Sequence, residues 1–208
     1  MIKALLLIFF PISTWERIVL ARRQWGLILL THLLPLLLLV SAAEAYGLVR
    51  WARPRGEMSR LTTFPLNTTV VFEVAQLVLS LLLVFVVANL VKALGETFHG
   101  RHTFTQAFTV AAYGMSPIFL MRALNALSAI TPWATWGIGA VLAATVLYNG
   151  LPRVMLPDPP HAFGLYLVST LLLIIVTGLA CFLTVWYLDG RFARLDAFFA
   201  RIAAHLPF

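Results

Sequence analysis

Three charged side chains set inside apolar stretches offer the strongest chemistry in this sequence. Glu44, Glu73 and Arg122 each stand among long runs of Leu, Val, Ala and Phe. A charge in hydrocarbon is costly, so such residues pair with one another or face a cavity. Two carboxyl groups and one guanidinium can form an ion-pair cluster, with Asn125 and Gln76 as candidate neighbours. The same three residues also read as separate side chains that snorkel to the head groups, because each lies near the end of its run.

Other constellations are weaker. Glu96, His99 and His102 have the spacing of metal ligands on a turn. One His pair without cysteine is a poor ligand set, and polar loop histidines are the simpler reading. Gly114-Met115-Ser116 sits in an apolar run, and His32 is the only histidine in another. A serine nucleophile would also need an oxyanion site, and nothing in the sequence supplies one. A serine bonded to its own helix is the ordinary reading. Asp189-Gly190 opens a divalent-ion motif that needs an acid three residues earlier and two more downstream. Trp186 and Pro207 occupy places where acids are needed, so that set cannot form. No catalytic residue, cofactor or metal is expected.

The elements that must carry these residues are five apolar runs: Gln24 to Leu48, Val70 to Leu94, Phe104 to Ala126, Pro132 to Leu151 and Phe163 to Leu188. A bilayer core of ~30 Å is crossed by ~20 apolar residues in a helix. Backbone amides in lipid must be bonded within the segment, so each crossing is helical. The expected fold is an all-α membrane bundle of five transmembrane helices, one domain over residues 1–208, with short amphipathic interfacial helices at both termini. In a five-span serpentine, the end of the first span, the start of the second and the end of the third share one membrane face. Glu44, Glu73 and Arg122 are therefore expected at similar depth.

Composition agrees. The 208 residues are 61% hydrophobic and 11% charged, which excludes an ordinary soluble domain. The net charge of +7 comes from 15 Lys and Arg against 8 Asp and Glu. Arg22, Arg23, Arg50, Arg53, Arg55, Arg60, Arg191 and Arg194 flank the spans, where anionic head groups meet them. That placement argues for membrane lipid as a partner and against nucleic acid. Cys181 is alone, so no intrachain disulfide can form. The apolar run before Ser13 resembles a signal peptide but lacks a small-x-small cleavage site, and cleavage is not expected.

Before the first span, Ser13 and Glu16 have capping-box spacing, and Trp15, Ile18, Val19 and Trp25 recur at helical spacing. The longest loop, 49–69, is basic and holds Pro54, Gly56 and Pro65 as breakers. Pro35 should bend the first span. Thr131-Pro132 reads as a cap followed by Pro at the first helical position. Pro152, Pro157, Pro159 and Pro160 should end the fourth span. After Gly190, Phe192, Leu195, Phe199 and Ile202 form a second amphipathic stretch. Charge does not orient the chain: seven Lys and Arg fall on the N-terminal side and eight on the other, a tie under the positive-inside rule.

A family resemblance rests on short motifs along nearly the whole chain. Pro11-x-x-Thr14-Trp15 precedes the first span; Phe98-x-Gly100 and Phe104 follow the second; Ala112-Tyr113 and Pro117 lie in the third; Tyr148-x-Gly150-Leu151 comes before a Pro-rich loop. With five spans, this resembles the Ypt/Rab-interacting protein (YIP) family of multi-pass membrane proteins in its bacterial form. The resemblance implies an inner (cytoplasmic) membrane location, a cytoplasmic N-terminus and an outer C-terminus. It also implies a non-enzymatic protein that binds other membrane proteins or itself, or organises the membrane. Family members that bind Rab GTPases carry a longer soluble N-terminal region than the ~23 residues here, so a GTPase partner is not expected. Small residues and Pro at Gly114, Pro117, Gly137 and Gly139 would let helices approach closely. Two other readings stay open. A small transporter or channel would use His32, Asn89, Glu44 and Arg122 as a polar path. An accessory subunit of a larger complex is the other. The sequence names no substrate, partner identity or oligomeric state.

Overall fold

The computed structural model describes residues 2–55, 60–98 and 103–204. Among them, five helices are long and apolar enough to cross a membrane: Trp25–Arg50, Leu66–Thr97, Phe104–Ala126, Pro132–Met155 and Pro159–Leu188. They are the first to fifth spans below. Two helices precede them, α1 (Ile2–Phe9) and α2 (Pro11–Leu20), and a C-terminal helix, Ala193–Ala203, follows. The chain is an all-α integral membrane bundle.

The third span is the axis of the bundle. Its apolar window is 72% buried, against 22% for the fifth span. It packs on the first, second and fourth spans, and the fifth closes the far side against the second and fourth. The sequence allows this because the third span carries alanine at the positions that face its neighbours. Ala107, Ala111 and Ala112 are fully covered, and small side chains let neighbouring backbones come close.

Proline shapes two spans. Pro35 offers no N–H to the preceding turn. The first span widens there into a π-helical turn, Leu29–Leu33, a common accommodation of a lost ladder bond. Pro117 has the same effect in the third span. The helix breaks at Met115 and restarts at Ser116, then tightens into a 3-10 turn over Ala123–Ala126. Thr131 caps the fourth span, accepting a bond from the Ala134 amide at 3.4 Å, with Pro132 next. The fourth span does not stop at Pro152. It runs one turn on to Met155 and ends at Leu156, which is left-handed at φ 45°. Thr103 and Gln106 form a reciprocal capping box at the start of the third span.

The N-terminal and C-terminal helices pack on different parts of the bundle. At the N-terminal side, α1 packs on the third and fourth spans and α2 on the fourth. Pro11 opens α2, so Ser13 sits inside its first turn and does not cap it. At the other side, the loop after the first span contains a short antiparallel ladder, Arg53–Arg55 with Arg60–Thr62, where no strand was expected. A small separate core of Leu48, Phe64, Phe72, Tyr187 and Leu188 lies there, and Phe199 of the C-terminal helix packs on it. Asn67 donates to the Ala203 carbonyl at 3.4 Å and ties that helix to the second span.

Two glycines show opposite surroundings, one at a close backbone approach and one in open space. A Cβ on Gly47 would lie 2.3 Å from the Ala126 backbone, whereas one on Gly137 would meet nothing within 4 Å. Gly47→Ala is expected to lower stability by about 1–3 kcal/mol through overpacking. Gly137→Ala should be neutral or slightly stabilising, since Ala is the better helix former. Thermal unfolding of the two purified variants checks the contrast.

Candidate functional site

Three polar centres line the interior. The deepest in sequence terms is the charge cluster. Arg122 Nε donates to Glu44 Oε2 at 2.6 Å and Nη2 to Glu73 Oε2 at 2.9 Å. Its remaining arm, Nη1, donates to Ser80 Oγ at 3.3 Å. Asn125 Nδ2 donates to the second Glu44 oxygen at 3.2 Å, and the Thr135 hydroxyl donates to Asn125 Oδ1 at 2.7 Å. One guanidinium thus joins the first, second and third spans, and the network runs on into the fourth. Glu44 is fully covered, so these side chains turn inward and do not run separately to the head groups. Gln76 is not in the cluster. Its amide donates to Thr184 of the fifth span at 2.6 Å, although Ser80 links the two by donating to the Gln76 carbonyl at 2.7 Å. A cavity of about 70 Å³ lies beside Arg122, lined in part by Gln76, Ser80, Asn125, Thr135 and Cys181. That volume holds a few waters, since one needs ~10–15 Å³ on this kind of measure.

The second centre gathers residues from three of the motifs. Trp15 is fully buried, and its indole N–H donates to the Val146 carbonyl at 2.9 Å. Val146 lies nine residues before the end of the fourth span, or about 13 Å along its axis. A helix carbonyl is reachable there because residue 150, one turn on, is glycine. A Cβ at Gly150 would fall 2.2 Å from the Trp15 ring. Tyr113 meets Trp15 edge to face at 6.1 Å and lies against His32 at 4.2 Å. His32 Nε2 is 2.9 Å from Ser116 Oγ, and that hydroxyl donates to the Ala112 carbonyl at 2.8 Å. With the hydroxyl proton directed at Ala112, the imidazole serves as donor to the serine oxygen. That arrangement ties the first span to the third; it does not prepare the serine for attack.

The third centre is a cavity of about 360 Å³ on the N-terminal face, lined by Lys3, Arg22, Arg23 and Arg153 together with Thr103, Gln106 and Tyr113. Sequence reasoning placed Arg22 and Arg23 at the membrane edge and counted all four on the N-terminal side, without grouping them. The groupable signal was Thr103-x-x-Gln106, a capping box that opens a helix beside them.

Of the motif positions, Trp15 and Tyr113 touch each other, and Pro117 is buried next to Ser116. Phe98 packs elsewhere, where a Cβ on Gly164 would meet its ring at 2.9 Å. Gly100, His99 and His102 lie outside the described residues, so the Glu96-His99-His102 set does too. Among the described residues no group of three His, Cys, Asp or Glu could hold a metal ion. Asn89 faces outward and bonds its own helix at the Phe85 carbonyl, 2.8 Å away, so it does not extend a path from His32.

Arg122→Met would leave Glu44 and Glu73 buried without a counter-charge, which costs about 3–5 kcal/mol. Adding Glu44→Gln and Glu73→Gln to the same chain should restore most of the loss. Trp15→Phe keeps an aromatic ring but removes the bond to Val146, at about 1 kcal/mol before the loss of buried volume is added, and Gly150→Ala should cost more. Thermal midpoints in one detergent rank all four variants.

The comparisons with known proteins bear on this geometry. A family profile described as the Yip1 domain matches residues 5–182, a stretch that includes all five spans but the end of the last, the charge cluster and the Trp15 centre, and the basic cavity apart from Lys3. No curated protein and no solved structure matches the chain. The match takes in far more than half the sequence, and the chain belongs to the Yip1 domain family of membrane proteins.

Proposed function

We propose that residues 1–208 work as one non-enzymatic transmembrane unit that binds other membrane proteins, or a second copy of itself, in a bacterial inner membrane. Family membership supports the class of protein. The observation that carries the reading is an outward groove between the fourth and fifth spans. It is lined by Ala140, Val141, Ala144, Thr145, Tyr148, Tyr166 and Ile174, with a volume of about 420 Å³. Ala140 and Ala144 are one turn apart, the small-xxx-small spacing that lets a second helix approach closely. Gly137 lies one turn earlier with open space over its Cα. Gly114 and Gly139 are already used inside the bundle, against Leu147 and Ile118.

Support for a non-catalytic role comes from how the interior polar groups are engaged. Arg122 is held by two carboxyl groups, and the Ser116 hydroxyl by its own helix. The cavity beside Arg122 and the basic cavity have no lining residue in common. Leu33, Leu36, Leu37 and Val40 of the first span are all covered between His32 and Glu44. That apolar stretch disfavours a small transporter as the alternative. The resemblance to the family's topology supports a cytoplasmic N-terminus.

The test is association in lipid. Single-molecule photobleaching of labelled protein in liposomes, with in-membrane crosslinking from Tyr148, reads which helix occupies the groove. Ala144→Leu, which fills the groove, is expected to lower crosslinking at least about tenfold, since ~1.4 kcal/mol of packing corresponds to that factor. Unchanged crosslinking, or solute flux through the reconstituted protein well above empty liposomes, would defeat the proposal.

A further inference from the structure

We infer that the basic cavity on the N-terminal face binds the phosphate of an anionic phospholipid. Four cations reach it from three separate segments: Lys3 from α1, Arg22 and Arg23 from the turn after α2, and Arg153 from the end of the fourth span. Among the described residues, none of the four forms an ion pair with an acidic side chain. Arg23 Nη1 donates to the Thr31 hydroxyl at 3.3 Å, and Arg153 Nη1 to the Asn149 carbonyl at 2.5 Å. Each guanidinium has five N–H donors, so most remain for a ligand. Gathering cations without anions is unfavourable unless something negative comes in. Burial, together with the nearby Arg23 guanidinium, already holds the Lys3 amine below the usual lysine range. The third span also begins at this cavity, and a helix N-terminus favours an anion.

The walls point to a lipid. Ile18, Val19, Ile28, Val154 and Leu156 line the same cavity, so a ligand must be charged at one end and apolar at the other. The cavity lies at the start of the first and third spans and the end of the fourth, the level at which apolar helices give way to head groups. Basic pockets between spans are a known form of lipid head-group recognition. The backbone adds a further sign. Among the described residues, the two non-glycine positions with positive φ are Arg22 (40°) and Leu156 (45°), and both line the cavity. Such conformations cost energy and persist where the surroundings hold them, often at ligand clamps.

The experiment titrates the purified full chain with short-chain phosphatidylglycerol, short-chain phosphatidylcholine and inorganic phosphate, and follows the thermal midpoint. Phosphatidylglycerol should raise it saturably, and the other two should not at the same concentration. Arg22→Gly suits the left-handed turn better than arginine, so it removes the cation while keeping the backbone. Arg22→Gly and Arg153→Gln should each weaken apparent affinity about fivefold, the factor that ~1 kcal/mol per surface cation implies. Arg17→Gln, on α2 but outside the cavity, should leave it unchanged. Equal stabilisation by phosphatidylcholine would overturn the inference. So would saturation by inorganic phosphate alone, which would mark a soluble-anion site, or an unaltered response in both cavity variants. None of these readouts depends on the groove between the fourth and fifth spans, so failure here leaves the association proposal standing on its own test.

Discussion

A polar group inside hydrocarbon must find its partner within the protein. Water offers a bond to any exposed amide or carboxylate; lipid tails do not. That single constraint makes each span a helix, and it also governs the side chains. Arg122 can sit in the bundle because two carboxyl groups and a serine meet it. Glu44 can be fully covered because Arg122 and Asn125 occupy its two oxygens. Removing any one member strands the rest, so the cluster acts as a register pin for the first three spans. Ion pairs of this kind add little net stability over a well-packed apolar substitute, and their clearest use is to specify one arrangement among several.

The Trp15 centre applies the same rule to the N-terminal helices. A buried indole brings one N–H that needs an acceptor, and the Val146 carbonyl supplies it. Gly150 clears the approach, and Trp15 then locks α2 to the fourth span. Tyr113, His32 and Ser116 extend the contact to the third and first spans. The basic cavity is roofed by the same α1–α2 pair, so the packing of Trp15 also determines where Lys3, Arg22 and Arg23 stand. Lipid contact at that face and the fold of the bundle's N-terminal half are thereby mechanically joined.

The outer surface follows a different logic. Leu167, Leu171, Ile175, Leu179 and Leu183 of the fifth span are exposed at one-turn intervals. In a bilayer that stripe needs no further partner, because lipid covers it as well as protein would. The groove beside it differs in shape rather than in polarity: alanine leaves room into which a second helix can pack closely. Packing, not hydrophobicity, is what distinguishes a helix-binding surface from a lipid-facing one.

Run length and composition alone determined the spans, their number and their helical state, because hydrocarbon tolerates no other backbone. They also put Glu44, Glu73 and Arg122 on one face, since depth in a serpentine is a matter of counting. Direction around each helix was not countable. Whether those charges met or diverged to the rim depended on rotation set by packing against neighbours, including the fit of Gly47 against Ala126. Ser13 looked like a cap until Pro11 claimed the first turn of α2. His32 and Ser116, 84 residues apart, had no pattern to join them. The four cations of the cavity come from segments distant in the chain, and only the folded bundle, by closing α1 and α2 over the third and fourth spans, brings them round one space.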